Sequence, residues 1–158
     1  MSAIRDCLEV NLIGQIQTTT ILLPLLRASK QAVILNVSSE LGSNSWQASI
    51  TPRGAQFVGY SASKAALNSY TIALAHELKK DGIKVNAATP GFTSSKLTNF
   101  NAWGKTARQG AESLLPWALL DKDGPTCECR YAAVIGIEVF TLVFAGQFLD
   151  STGGKMAW

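Results

Sequence analysis

The run Ala32-Val33-Ile34-Leu35-Asn36-Val37 is short, β-branched and almost continuously apolar, and it stops at Ser38-Ser39. A strand of that kind suits the interior of a parallel sheet, covered on both faces, and a parallel partner can be reached only through a crossover element. Both follow in the chain. From Tyr60 the apolar residues Ala66, Leu67, Tyr70, Ala73, Leu74 and Leu78 recur with helical spacing, and Lys79, Lys80 and Gly82 close the pattern. Then Ile83-Lys84-Val85-Asn86-Ala87-Ala88 predicts a second short strand, stopped by Pro90-Gly91.

Upstream, Ile4, Leu8, Leu12, Ile16, Leu22, Leu23 and Leu26 predict a helix packed on more than one side, kinked or ended by Pro24. The order helix, strand, loop, helix, strand is that of an α/β protein, half of a doubly wound parallel sheet. Glu40 to Gly59 is polar and without period, and is expected to be a long loop. Gly104 to Leu120 has room for a helix, and Gly146 to Leu149 for a last strand before Gly153-Gly154.

With 158 residues the chain has room for one domain, expected over 1–158. Hydrophobic residues make up 47% and charged residues 16%, so a packed interior is expected rather than disorder. The net charge of +3 is scattered, which argues against a nucleic-acid partner. Cys7, Cys127, Cys129 and the single His76 do not make a usual zinc set, so no metal is expected, and the odd cysteine count suits a reduced cytoplasmic setting. His76, beside Glu77 and Lys79, reads as a solvated residue of the helix face. The N-terminus lacks a signal-peptide pattern, and the apolar stretch from Tyr131 to Phe148 is interrupted by Glu138 and too short for a membrane span.

Tyr60 and Lys64 stand at i and i+4, one turn apart on one helix face. An ammonium close to a phenol favours the phenolate and lowers its pKa, which would let Tyr60 exchange a proton with a carbonyl or alcohol oxygen. Alone, such a pair is equally a surface contact. Its company is more specific: Asn36-Val37-Ser38-Ser39 ends one strand, Val85-Asn86-Ala87-Ala88-Thr89-Pro90-Gly91 ends the next, and ligands of open α/β sheets bind at the carboxyl ends of strands.

In these three motifs the sequence closely resembles the short-chain dehydrogenase/reductase family, over roughly Asp6 to Leu97 and again from Gly146 to Gly154. The resemblance implies a partial Rossmann-like sheet and an NAD(P)-dependent oxidoreductase acting on a small carbonyl or alcohol. It makes Tyr60 the general acid/base and gives Lys64 two tasks, lowering the Tyr60 pKa and holding the cofactor ribose. It makes Ser39 the hydrogen-bond partner of the reacting oxygen and Asn11 the holder of a relay water. On the residues alone, Ser38 and Ser39 could equally end a strand, and Asn11 could satisfy a kinked helix backbone. Asn36, Pro90, Gly91, Thr93 and Ser95 would line the NAD or NADP, with Tyr60 and Lys64. The helices from Ile4 and Tyr60 resemble those of the family's dimer interface, which leaves room for a homo-oligomer.

Three departures qualify what the resemblance implies. No Gly-x-Gly occurs anywhere in the chain, so the turn that should cradle the pyrophosphate is missing with the first strands, and weak cofactor binding by this chain alone is expected. The Ser39–Tyr60 loop is longer than in the commoner members. Cys127 to Ala145 separates Asp121–Thr126 from Gly146–Asp150 and reads as a non-family insertion, of the kind a retained intron would leave. The rival expectation is an inactive remnant that acts through protein–protein association.

Overall fold

The computed structural model describes residues 2–49 and 56–131, together with two short strands at 148–149 and 155–156. It opens on one continuous helical rod: α1 (Ser2–Leu8), a π turn (Glu9–Ile13) and α2 (Gly14–Ala28). The π turn is closed by Gly14 N–H donating to Glu9 O, one residue wider than an α turn. Pro24 does not end the helix, which runs on to Ala28. Only one backbone donor is forfeited there, and Leu23 and Leu26 pack on the core on either side of it.

Strand β1 (Val33–Val37) follows, then a 3₁₀ turn (Glu40–Gly42) and α3 (Asn44–Ser49). The expected structureless loop from Glu40 is therefore helical over much of its first half, because Ser39 caps the turn by accepting from Leu41 N–H at 3.2 Å. The long α4 (Val58–Glu77) runs into a 3₁₀ turn (Leu78–Asp81) and stops at Gly82, whose φ of 71° is the left-handed stop that the sequence announced. Strand β2 (Lys84–Thr89) comes next, then α5 (Ala107–Glu112), α6 (Leu115–Ala118) and β3 (Glu128–Tyr131).

The sheet has the order β1-β2-β3 and all its pairings are parallel, with Val33 opposite Lys84 and Asn86 opposite Glu128. This is the α/β, partial Rossmann-like architecture expected from the sequence. The opening residues of the expected insertion, Glu128–Tyr131, pair with β2; residues 132–147 lie outside the described residues. Phe148–Leu149 (β4), inside the expected last strand, pairs antiparallel with Lys155–Met156 (β5).

The core joins Ala32, Leu74, Ala75, Leu78, Ile83 and Val85, with Leu23, Leu26, Ile34 and Tyr70 packed against it. The buried face of α4 is not the apolar stripe that the periodicity predicts. Ala73 is exposed, and Ser61, Ser63, Lys64, Asn68 and Thr71 are buried beside Leu67 and Leu74. Most of these polar groups find partners: Asn36 Nδ2 donates to Thr71 Oγ1 at 2.8 Å, Ser38 Oγ to Asn68 Oδ1 at 2.6 Å, and Asn68 Nδ2 to Gly42 O at 3.2 Å. Paired in this way, a polar side chain is tolerated where an unpaired one would cost about 1–3 kcal/mol. No helix among the described residues is long and apolar enough to cross a membrane.

Candidate active site

The carboxyl ends of β1 and β2 and the first turns of α4 meet, and the chemistry-bearing residues collect there. Ser39 is buried just past β1, where its hydroxyl accepts from Leu41 N–H, and it neighbours the Tyr60 phenol on α4. Gly42 allows this approach: a Cβ there would stand 2.9 Å from the Lys64 carbonyl carbon and 2.9 Å from Asn68 Nδ2. The turn Ser39–Gly42 thus lies flat against α4, and the spacing from Ser39 to Gly42 is a packing requirement.

The Lys64 ammonium donates to Val37 O at 2.9 Å and stands 5.6 Å from the centre of the Tyr60 ring. It faces the ring in a cation–π arrangement. Burial pushes the Tyr60 phenol above its ordinary value; the neighbouring Ser39 hydroxyl opposes that, and the electrostatics of Glu40 and Cys7 add to it. The expected lowering of the Tyr60 pKa is therefore corrected to a net rise, because desolvation of the phenolate outweighs the stabilising contacts. Burial also lowers the Lys64 pKa.

Asn11 lies at the middle of the π turn, half-buried. Its Nδ2 donates to Ser63 Oγ at 3.0 Å, and Ser63 Oγ donates to Tyr60 O at 2.7 Å. The side chain thus braces the backbone of Tyr60 through Ser63. Asn36 does not face the cleft: it is buried and spends its amide on Thr71. Ser95 is occupied in a capping box with Thr98, while Pro90, Gly91 and Thr93 form the turn after β2, where Thr93 Oγ1 donates to Gly91 O at 3.0 Å.

Sequence reasoning missed Glu40 and Thr89. Glu40 Oε2 accepts from Thr89 Oγ1 at 3.0 Å, and Thr89 Oγ1 accepts from Gly91 N–H at 3.2 Å. The available signal was an acid placed directly after the motif serine. His76, on the exposed side of α4, lies 3.8 Å from Cys127 Sγ through Nε2. Among the described residues no cluster of three or more His, Cys, Asp or Glu could hold a metal ion.

The residues present fit one end of a nicotinamide dinucleotide. Lys64 gives one of its three N–H donors to Val37 O, which leaves two for a ligand, beside a turn at Pro90-Gly91. The pyrophosphate end has no counterpart in the sequence, which holds no Gly-x-Gly.

The family model described as short chain dehydrogenase matches residues 1–104. The (+)-neomenthol dehydrogenase of Capsicum annuum is 30% identical over 77% of this chain and 49% of its own length. The 17-beta-hydroxysteroid dehydrogenase type 6 of Bos taurus is 34% identical over 66% of this chain and 30% of its own. The solved structure of salutaridine reductase from Papaver somniferum superposes with a TM-score of 0.65 at 28% identity, covering 80% of this chain and 54% of that one. The chain spans about half the length, or less, of the curated relatives it matches.

Proposed function

This chain belongs to the short-chain dehydrogenase family, and from that premise we propose that it carries the proton-transfer part of an NAD(P)-dependent oxidoreductase that interconverts a small carbonyl compound and its alcohol. The reading rests on one observation, the convergence of Tyr60, Lys64 and Ser39 at the carboxyl end of β1, where the Lys64 ammonium donates to Val37 O at 2.9 Å and stands over the Tyr60 ring. A substrate oxygen taken between the Ser39 and Tyr60 hydroxyls would receive a hydrogen bond from Ser39 and a proton from Tyr60 as general acid.

Lys64 would hold the ribose of NAD or NADP and keep a positive charge near the phenol, while Asn11, through Ser63, holds the first turn of α4 in place. Pro90, Gly91 and Thr93 would line the nicotinamide. Asn36, paired with Thr71, and Ser95, paired with Thr98, would complete the cofactor's surroundings. The hydride itself is supplied or taken up by the nicotinamide when it is bound.

The test joins this chain to a glycine-rich dinucleotide-binding half and measures turnover and calorimetric cofactor binding side by side. Tyr60→Phe should keep cofactor binding and lose at least roughly 100-fold in turnover, the usual cost of a missing general acid. Near-normal turnover rejects the assignment. The 158-residue chain alone should bind NADPH and NADH only weakly, and micromolar binding would overturn that part.

A second reading, association without turnover, is favoured by Val10, Ile21 and Leu25, which stand exposed on the N-terminal helical rod, and by Val37 on β1. Sedimentation of the chain as a monomer at all concentrations would remove it.

A further inference from the structure

The carboxylate of Glu40 stands where three parts of the site meet. The turn that carries it is fixed at both ends, by the Ser39 cap at Leu41 N–H and by the close approach of Gly42 to α4. Its Oε2 reaches across to Thr89 Oγ1, the end of β2, and that buried hydroxyl in turn accepts from the N–H of Gly91. A single side chain therefore links the segment bearing Ser39 to the turn Pro90-Gly91.

We propose that Glu40 is a positioning residue: its carboxylate ties the turn of Ser39 to the loop after β2, next to the site of Tyr60. This rests on Tyr60 being the proton donor, because only then does the charge bear on the chemistry. The ionisable groups facing Tyr60 are Glu40 from the turn, Cys7 from α1, and Lys64 from its own helix, over the ring. Lys105, on the loop after β2, lies within electrostatic reach of Glu40. A carboxylate beside a phenol disfavours the phenolate, so Glu40 acts to keep the Tyr60 proton in place.

Two readouts on the 158-residue chain separate the parts of this claim, and neither needs turnover. The first is the tyrosinate absorbance titration of Tyr60, isolated by subtracting the same protein carrying Tyr60→Phe. Glu40→Gln, whose amide oxygen can still accept from Thr89, should move the Tyr60 midpoint down. An unmoved or raised midpoint overturns the electrostatic part.

The second is amide hydrogen exchange at Gly91 by NMR. Thr89→Val and Glu40→Ala should each speed it roughly fivefold, the loss of about one hydrogen bond, while Glu40→Gln should leave it near wild type. Unchanged exchange in Thr89→Val and Glu40→Ala overturns the positioning part. Should Tyr60→Phe keep normal turnover in the joined protein, the catalytic reading fails by itself, and both measurements still decide what Glu40 does.

Discussion

Strands β1 and β2 lie side by side in one parallel sheet, and their compositions and burial run in opposite directions. β1 is Val-Ile-Leu-Asn-Val, yet only Asn36 is buried and Val37 is 46% exposed. β2 is Lys-Val-Asn-Ala-Ala-Thr, and every residue from Val85 to Thr89 is buried. The difference is one of neighbours. β2 is flanked by β1 and β3, whereas among the described residues β1 is paired on one side only. Apolar character tells what a strand can tolerate around it; topology decides what it receives.

The contrast is sharpest at Val85, fully buried in the core cluster. Val85→Asp should place an unpaired charge there and cost upwards of about 3–5 kcal/mol, enough to abolish the cooperative thermal transition followed by circular dichroism. A folded, cooperatively melting variant would break the account of β2 as the covered strand.

The next test concerns how β1 is held despite its exposure. Asn68, fully buried on α4, accepts from Ser38 and donates to Gly42 O, so Asn68→Ala strands two polar groups at the end of β1. A loss of about 2–3 kcal/mol in urea unfolding is expected, and a loss below about 0.5 kcal/mol would mean that water replaces the amide at once. The smallest effect belongs to Val37→Lys, expected to stay within about 0.5 kcal/mol of wild type. If Val37→Lys instead approached Val85→Asp in cost, the edge of β1 would be covered in solution.

The sequence announced both of these strands, the helix between them and its left-handed stop at Gly82, because each is written in local chemistry: β-branched runs, helical spacing and a glycine. It also brought Tyr60, Lys64 and Ser39 to one place through motifs at strand and helix ends, while Asn11 entered through the family resemblance alone. What it could not convey depends on pairs far apart in the chain. Asn68 and Thr71 look like the polar side of α4 until Ser38 and Asn36 are placed opposite them. The helical turns after Ser39 follow from a cap and from the fit of Gly42 on α4, neither of which leaves a periodicity. The direction of the Tyr60 pKa shift went the other way from expectation for a related reason: spacing reports that a lysine is near, and only packing reports how dry the phenol is. Glu40 escaped notice because its partner, Thr89, is 49 residues away.

The π turn at Glu9–Ile13 has a consequence of phase. Each α-helical residue advances the helix by about 100°, so the one surplus residue in that turn dials α2 around relative to α1. With that setting Asn11 meets Ser63, and two turns later Thr19 meets Tyr70 on the same helix, α4. A helix of ordinary pitch could present one of these contacts in place and carry the other away from its partner. The extra residue is thus a timing element, and removing any single residue from Glu9 to Ile13 would amount to a rotation of everything that follows rather than a shortening.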